Sequence, residues 1–360
     1  MLDADSTAYH SIKKGGNTMH KKLVDPNKLC MGCMAQLNQP MLRCPHCGFE
    51  VSKYAKPDNA LPLYEILNGK YLVGRAIGSG GFGITYIGWD FYQSRRVCVK
   101  EYFPKMIAAR NPNASSYSEL ISVSLQYSTM MYTQSPSKVQ HAYVQGLQNY
   151  IHEAEILSKF YLMPGIVSVR DFFYGNNTAY IVMEYIDGID MRKYLKRLGR
   201  PLRPAEVFSV LRDVLRALSA VHKAGIIHRD ISPDNLMLTR EGKVKLIDFG
   251  ASKDYSSSAK GAIFLKKGYA PIEQYSRDGR QGPWTDVYSL CASMYYLMTG
   301  MRIPVPQERM KQDSVRLLRE MGVPISPRQD LAIQKGLRIE SKDRHQTVGD
   351  LYQDLYGTPI

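Results

Sequence analysis

Long hydrophobic runs are missing from this chain of 360 residues. No segment reaches the ~18 to 20 uninterrupted apolar residues that a helix needs to cross a bilayer. The N-terminal stretch has polar and charged residues where a secretory signal peptide needs an apolar core. We therefore expect a cytoplasmic protein with no membrane partner for this chain.

Blocks of consecutive basic residues are missing as well, although the formal net charge is +14. Such a charge is compatible with nucleic acid, an anionic membrane, or phosphate-bearing and acidic ligands. The basic residues are scattered, however, and no basic run carries interleaved aromatic residues. The pattern favours a solvated surface and does not favour a nucleic-acid partner.

Six cysteines are present, and four of them cluster near the N-terminus. Cys30 and Cys33 form one CxxC pair, and Cys44 and Cys47 form a second pair after a spacer of ten residues. Each pair places two thiolates on one side of a tight turn, so two pairs complete a tetrahedral Zn²⁺ site. Two disulfides are the alternative, which a cytoplasmic chain disfavours. The pattern predicts a small structural zinc module at residues 29–50.

Secondary-structure patterns change character along the rest of the chain. The segment 71–100 contains three short strand patterns around a glycine-rich turn. After Pro204, apolar residues from Val207 to Val221 recur at helical spacing. A strand-rich first half and a helix-rich second half predict two lobes with a cleft between them.

The glycine-rich turn has Gly78, Gly80 and Gly83 in a GxGxxG pattern between two strands. Glycines let the backbone approach a polyphosphate and aim its N–H groups at the oxygens. The pattern also opens dinucleotide-binding folds, but a helix follows it there, whereas a strand follows it here. It therefore indicates a nucleotide phosphate site, although the pattern alone is weak.

Lys100 ends the third strand, where its ammonium can neutralise α- and β-phosphate oxygens. A buried lysine needs a carboxylate partner because an uncompensated buried charge is costly. Glu153, in a helical stretch, is the expected partner. Its neighbour Glu155 points to a different face and is expected to be solvated.

The most specific pattern is His228-Arg-Asp-Ile-Ser-Pro-Asp-Asn235, followed thirteen residues later by Asp248-Phe-Gly250. Asp230 would orient and deprotonate an acceptor hydroxyl, while Asn235 and Asp248 would supply oxygen ligands to Mg²⁺ between phosphates. Short strand patterns lie between the two motifs. Asp230 and Asp248 are therefore expected next to the ends of short strands, at the floor of the cleft.

Together these motifs resemble the eukaryotic-like protein kinase family over roughly residues 70–357, and their details are most similar to bacterial serine/threonine kinases. Tyr269-Ala-Pro-Ile-Glu273 resembles the family's APE element, and Arg344 resembles the arginine that pairs with its glutamate, here Glu273. The two CxxC pairs resemble zinc ribbons found ahead of some bacterial kinases. The resemblance implies ATP and Mg²⁺ as cofactors and protein substrates, rather than a small-molecule acceptor.

The resemblance also implies a nucleotide pocket beside the hinge, which Val182-Met-Glu-Tyr185 resembles. Met183 takes the gatekeeper position, adenine bonds the backbone from Glu184 to Ile186, and Asp190 holds the ribose. By the same resemblance, Cys98 lies above the adenine ring and Met237 lies below it. The implied nucleotide-binding residues beyond the glycines and Lys100 are Cys98, Met183, Glu184, Ile186, Asp190 and Met237.

Ser232 departs from the family pattern. Most serine/threonine kinases have at this position a lysine that touches the γ-phosphate, and its loss would weaken the stabilisation of transition-state charge. The HRDISPDN motif resembles the one that is usual in the bacterial subgroup. We therefore interpret Ser232 as variation rather than inactivation.

Two loops depart from the pattern as well. Fifty-two residues separate Lys100 from Glu153, and the Ser-, Tyr- and Asn-rich stretch 111–137 predicts a mobile insertion. The loop 251–268 contains no threonine. Since Arg229 precedes the predicted base, as in kinases whose activation segment is ordered by a phosphate, we hypothesise autophosphorylation within Ser256 to Ser258. A polar loop that is never phosphorylated stays open as the alternative.

The sequence thus predicts an α+β chain with a bilobal protein-kinase fold, a β-rich N-lobe and a helical C-lobe, behind a small zinc ribbon. The expected organisation is a disordered tail at 1–28, the ribbon at 29–50, a linker at 51–69 and the kinase domain at 70–357. Within that domain we expect the N-lobe at 70–183, the hinge at 184–188 and the C-lobe at 189–357.

The expected activity is ATP- and Mg²⁺-dependent transfer of the γ-phosphoryl group to Ser or Thr hydroxyls of proteins. One alternative is a pseudokinase scaffold that binds nucleotide and partners without turnover, and another is a nucleic-acid-binding ribbon with a kinase fold attached. A scaffold usually lacks a member of the catalytic set, which is complete here. That set is Lys100, Glu153, Asp230, Asn235 and Asp248. For the ribbon we prefer docking or regulation; the sequence does not indicate the oligomeric state.

Overall fold

The computed structural model describes residues 24–81, 83–110, 121–123, 136–249, 265–276 and 279–360. Within these ranges a β-rich lobe is followed by a helical lobe, which confirms the predicted bilobal arrangement. No helix among the described residues is long and apolar enough to span a bilayer. The strands are β1 Ile66–Leu67, β2 Tyr71–Ser79, β3 Gly83–Asp90, β4 Arg95–Tyr102, β5 Ala108–Arg110, β6 Ile121–Val123, β7 Val169–Gly175, β8 Thr178–Glu184, β9 Gly188–Asp190, β10 Leu236–Thr239 and β11 Val244–Leu246.

An antiparallel sheet in the order β1-β2-β3-β4-β8-β7 forms the N-lobe. Side chains alternate between the two faces of a strand, and β4 uses both faces. Val97 and Val99 are fully buried in the core. Cys98 and Lys100 therefore point the other way, toward the cleft.

Helices form most of the C-lobe, and α3 shows why. Pro204 occupies its first position, where the missing N–H costs nothing, and Glu206 accepts the Arg203 N–H at 2.6 Å. The apolar face from Val207 to Val221 is buried, as the spacing predicts. The helices are α1 Pro136–Ser158, which packs on β7 and β8, α2 Met191–Leu198, α3 Pro204–Lys223, α4 Pro283–Thr299, α5 Pro306–Lys311, α6 Pro327–Gly336 and α7 Val348–Tyr356.

A small sheet in the order β11-β10-β9 lies where the two lobes meet. Leu246 in β11 forms a parallel bridge to Ile166, which precedes β7 of the upper sheet. The segments that follow β9 and β11 and the loop that precedes β10 therefore meet at one edge. The loop that precedes β10 and the segment that follows β11 carry the predicted catalytic motifs, and the predicted hinge leads into β9.

The stretch 51–69, expected to be a linker, packs against the N-lobe sheet. Ala60 and Leu61 are fully buried, and the Leu61 N–H donates to the Tyr86 hydroxyl at 3.0 Å. The Tyr54 hydroxyl accepts the Ala76 N–H at 2.9 Å. The sequence analysis missed this packing because the Lys, Pro and Asp residues between 52 and 62 were interpreted as linker signals.

Several predicted segments lie partly or wholly outside the described residues. The predicted tail is described only from Val24, where Asp25 caps the short turn Pro26–Lys28. The predicted insertion follows β5 and is described at β6 and from Pro136 onward. Arg110, the last residue of β5, donates at 2.6 Å to the fully buried Glu101, which ties the start of the insertion to the sheet. Ser256 to Ser258 lie outside the described residues.

Candidate active site and cysteine cluster

The predicted catalytic loop is held from below by Asp286, a fully buried carboxylate near the start of α4. Its two oxygens accept the backbone N–H groups of His228 at 2.7 Å and Arg229 at 2.8 Å. His222 Nε2 lies 2.8 Å from Oδ2. Burial alone would raise the pKa of Asp286, but the His222 hydrogen bond and nearby histidine charge lower it. An ionised anchor therefore fixes the backbone next to Asp230.

Two residues of the site have left-handed backbone conformations although neither is glycine. Arg229 has φ 66° and Asp248 has φ 58°. Such a conformation costs on the order of 1–3 kcal/mol and persists where surrounding contacts over-determine it. The anchoring of Arg229 by Asp286 is such a contact. The strain marks the turns that aim Asp230 and Asp248 into the cleft.

Asn235, at the end of the catalytic loop, contacts Asp230 within the same loop. Its Nδ2 donates to the Asp230 carbonyl at 2.7 Å and to Asp230 Oδ2 at 3.1 Å. Since both contacts use Nδ2, the amide oxygen is the atom of Asn235 that can ligate a metal. The Asn235 carbonyl accepts the Ile247 N–H at 2.9 Å, and His228 Nε2 lies 2.9 Å from the Ile247 carbonyl. The loop is thereby joined to the residue that precedes Asp248.

Lys100 pairs with Asp248, whose Oδ1 lies 3.3 Å from Nζ. The Lys100 charge lowers the pKa of Asp248 and outweighs the opposing effect of burial, so this carboxylate is ionised. Glu153 lies half-buried on α1, and among the described ion pairs Lys100 has Asp248 and not Glu153 as its partner. The structure corrects the expected pairing, since the ammonium of Lys100 pairs with the carboxylate that follows β11. The assignment of Glu153 to the site stays a prediction; Glu155 is exposed, as expected.

The glycine turn lies above this pair, between β2 and β3. The Gly80 N–H donates to the Gly83 carbonyl at 2.9 Å and closes the turn. A Cβ on Gly83 would lie 2.5 Å from the Glu101 carbonyl, so only glycine fits there. A Cβ on Gly80 would meet nothing within 4 Å, and one on Gly78 would only touch Thr85 at 3.8 Å. This side of the turn is therefore open to a polyphosphate.

The residues predicted to line the nucleotide pocket include members of four strands. Cys98 of β4 and Met183 of β8 are register partners, and Met237 of β10 pairs with Asp190 of β9. Burial raises the pKa of the Cys98 thiol to about 12, which agrees with an apolar wall and with no redox role.

The remaining hinge residues have structural contacts. The Glu184 carboxylate accepts the Ser168 N–H at 2.8 Å and an ion pair from Lys245, and the hinge backbone continues through Ile186. Asp190 caps α2 by accepting the Lys193 N–H at 2.8 Å. Its predicted contact with ribose stays a prediction.

The APE element has the predicted arginine partner. Arg344 makes a two-pronged contact with Glu273, Nη1 to Oε1 at 2.7 Å and Nη2 to Oε2 at 3.0 Å. Both side chains are buried. The predicted pair is confirmed, and it fixes the segment after Tyr269 to the C-lobe.

The four predicted zinc ligands lie together. The sulfurs of Cys30, Cys33, Cys44 and Cys47 are all within 4.8 Å of one another. Cys30 Sγ lies 3.7 Å from Cys47 Sγ, and Cys33 Sγ lies 3.8 Å from Cys44 Sγ. A tetrahedron with Zn–S of about 2.3 Å has edges of about 3.8 Å, whereas a disulfide needs about 2.05 Å. The donor set therefore fits zinc and does not fit two disulfides.

The cysteine module packs directly on the N-lobe. Met31 and Met34 are buried against Leu72 and Trp89 of the sheet. The Arg75 N–H donates to the Met31 carbonyl at 2.8 Å, and Arg75 Nε donates to the Gly32 carbonyl at 3.0 Å.

Each knuckle of the module has a residue with positive φ after its second cysteine. These residues are Gly48 at 72° and Met34 at 56°. Glycine adopts such a conformation at no steric cost, whereas methionine does not. The Met34 side chain packs on β2, so the strained position belongs to the knuckle that contacts the sheet.

Comparisons with known proteins agree with this geometry. The protein kinase domain model matches residues 130–345. Serine/threonine-protein kinase F of Synechocystis sp. is 35% identical over 247 residues, which cover 67% of this chain and 45% of that protein. PrkC of Bacillus subtilis is 25% identical over 300 residues, which cover 80% of this chain and 40% of that protein.

Solved structures give the same result. The PpkA-294 apo form matches with a TM-score of 0.68 at 31% identity, covering 82% of this chain and 99% of that chain. The PknI kinase domain of Mycobacterium tuberculosis matches with a TM-score of 0.57 at 20% identity, a likeness of fold alone.

The chain therefore belongs to the protein kinase family. The relatives it resembles are named bacterial serine/threonine-protein kinases, and the chain spans about half the length of the curated relatives it matches. A protein kinase domain implies ATP and Mg²⁺.

Sequence reasoning missed Asp286 as a residue that positions the site. The two N–H groups that Asp286 anchors are more than fifty residues away from it in sequence. An aspartate inside an apolar helical run was the available signal, because a buried carboxylate needs fixed donors.

Proposed function

We propose that this chain is an ATP- and Mg²⁺-dependent protein kinase that transfers the γ-phosphoryl group to Ser or Thr hydroxyls of protein substrates in the cytoplasm. The observation that carries the proposal is the convergence of Lys100, Asp230, Asn235 and Asp248 below an open glycine turn. Named serine/threonine-protein kinases among its relatives support the same reaction.

Phosphoryl transfer requires mainly positioning and charge stabilisation from the protein. The glycine turn and Lys100 would bind the phosphates, and the Asn235 amide oxygen and the ionised Asp248 would hold Mg²⁺. Bound Mg²⁺ supplies positive charge to the phosphate oxygens. Asp230, held by Asn235, would orient the acceptor hydroxyl and take its proton. No described contact favours a nucleotide-binding scaffold without turnover.

Incubation with labelled ATP, Mg²⁺ and a generic protein substrate tests the proposal. The Asp230→Ala variant is expected to lose ~10²- to 10⁴-fold in rate, the usual contribution of a positioned general base. Asp58→Ala, at an exposed position away from the cleft, is the matched control and should equal the wild type. Equal incorporation by Asp230→Ala and wild type would defeat the assignment of the base, and an inactive wild type would favour the scaffold.

We also propose that the four-cysteine module binds one Zn²⁺ ion. The supporting observation is the pair of S···S distances, 3.7 and 3.8 Å, that match the edge of a zinc–thiolate tetrahedron. The Gly32 N–H lies 3.3 Å from Cys30 Sγ and would stabilise that sulfur as a thiolate.

Metal analysis of the purified protein tests the zinc site. One equivalent of zinc is expected in the wild type and in the Cys291→Ala control, whose thiol lies in the C-lobe core. Cys33→Ser should lower the zinc content well below one equivalent. Zinc content that is unchanged in Cys33→Ser, or absent from the wild type, would overturn the proposal.

A further inference from the structure

The position that lacks the usual lysine is buried and has a cation beside it. Ser232 is fully buried in the catalytic loop, and its hydroxyl accepts a hydrogen bond from Lys266 Nζ at 3.0 Å. The same ammonium lies 3.4 Å from Asp230 Oδ2. Lys266 comes from the segment that leads into the APE element, thirty-four residues away in sequence. A positive charge therefore stands next to the proposed base although residue 232 is a serine.

The backbone holds Lys266 in this place. Its carbonyl accepts the N–H groups of Tyr269 at 3.0 Å and Ala270 at 3.2 Å. Gly268 within this turn has φ +84°, and a Cβ there would lie 2.9 Å from the Ile303 carbonyl. The Tyr269 carbonyl accepts the Ser289 hydroxyl at 2.9 Å, which joins the turn to α4. A glycine-dependent turn on a buried helix thus sets the position from which Lys266 reaches the base.

The neighbouring lysine behaves differently. Lys267 is exposed, whereas Lys266 is half-buried and directed into the site. The electrostatic effect of Lys266 also reaches the metal-binding side of the cleft. After Lys100, which has the larger effect, Lys266 helps to lower the pKa of Asp248. The two adjacent lysines therefore provide a test position and a matched control.

We propose that Lys266 is a catalytic residue that contacts the γ-phosphoryl group and replaces the lysine missing at position 232, with Ser232 as its positioning residue. This inference rests on the proposed kinase function. In the reaction, the acceptor oxygen forms a bond to the γ-phosphorus while the bond to the bridging oxygen breaks, and ADP leaves with that electron pair. The hydroxyl proton passes to Asp230. Lys266 keeps its proton and stabilises the charge on the γ-phosphoryl oxygens.

The contact also links the activation segment to the chemistry. The cation reaches the base from the same short segment that Glu273 fixes to Arg344. When the segment that leads into the APE element is in place, Lys266 therefore supplies the positive charge that the catalytic loop lacks at residue 232. Because the serine hydroxyl and the lysine ammonium are 3.0 Å apart, an exchange of the two side chains leaves the positive charge near the same point.

Exchange of the two side chains tests the proposal. Lys266→Ser is expected to lower kcat by ~10²-fold or more, the usual cost of removing one transition-state donor. Lys267→Ser should stay within about twofold of wild type, since that side chain is exposed. The double variant Ser232→Lys/Lys266→Ser should recover at least about tenfold over Lys266→Ser, because it restores the ammonium from the other side of the contact.

A binding measurement separates contact with the γ-phosphoryl group from a structural role. Lys266→Ser should weaken a non-hydrolysable ATP analogue more than ADP, with an unchanged melting temperature. Wild-type kcat in Lys266→Ser, no recovery in the double variant, or equal weakening of both nucleotides would overturn the role of Lys266 while leaving the kinase function standing. A wild type without phosphoryl transfer would overturn both.

Discussion

Gly74 lies where the cysteine module meets the N-lobe, and a methyl group there should disturb the contact. A Cβ on Gly74 would lie 2.3 Å from the Met34 methyl and 2.5 Å from the Met31 carbonyl. The methionine end can move, but the carbonyl is fixed by the Arg75 N–H at 2.8 Å. Gly74→Ala should therefore push the module away from β2.

Overpacking of this kind usually costs ~1–3 kcal/mol, and we expect that loss in the free energy of unfolding. The four sulfurs are not touched, so zinc content should stay at one equivalent. Since β2 continues from Gly74 into the glycine turn at Gly78, ATP affinity should also fall. Gly349→Ala is the matched control because its Cβ would meet only ordinary contacts, at 3.5 Å or more.

Trp89 provides the assay, because it is buried against the module and the chain has only two tryptophans. In a Trp284→Phe background, urea unfolding is followed by Trp89 fluorescence for the parent, Gly74→Ala and Gly349→Ala. Gly74→Ala should unfold at lower urea, and its native emission should shift to the red. A loss below about 0.5 kcal/mol with unchanged emission would refute the packing argument.

Two further predictions concern the C-lobe. Arg344→Met should destabilise the chain by ~3–5 kcal/mol, because it removes the cation from a buried two-pronged pair and leaves the Glu273 carboxylate buried without it, whereas Arg200→Met in an exposed pair should cost under about 1 kcal/mol. Thermal unfolding compares the two, and equal losses would contradict the difference in burial. Burial lowers the pKa of His345 below 6.5, so its neutral form stabilises the fold above that pH and this stability is lost as pH falls through the folded-state pKa. His345→Gln should flatten the fall in stability below pH 6.5, and an unchanged slope would show that other groups cause it.

The motifs predicted the fold and most of the site because kinase chemistry needs fixed residue types in a fixed order. Lys100, Asp230, Asn235 and Asp248 were identified from the motifs that resemble those of protein kinases, and the structure brings them to one cleft. The pairing of Lys100 was mispredicted because two carboxylates compete for one cation, and spacing does not say which one approaches. That choice depends on how α1 and the turn at Asp248 pack in three dimensions.

Contacts between distant segments were beyond the reach of sequence patterns. Ser232 looked like the loss of a charge, since nothing in the sequence says that Lys266 folds back to 3.0 Å from it. Docking of the cysteine module on β2 was likewise one of several open roles, because Gly74 and Met34 gain their meaning only from close approach. Local motifs specify chemistry, whereas tertiary packing decides which side chains complete it.

The central claim is that this chain moves the γ-phosphoryl group of ATP to protein hydroxyls with Asp230 as base. The most direct test compares ATP labelled at the γ-phosphate with ATP labelled at the α-phosphate, using zinc-loaded protein, Mg²⁺ and a protein substrate. The account predicts label from the γ position only, on serine or threonine, and its loss in Asp230→Ala. Transfer from neither position, or equal transfer by the variant, would contradict it.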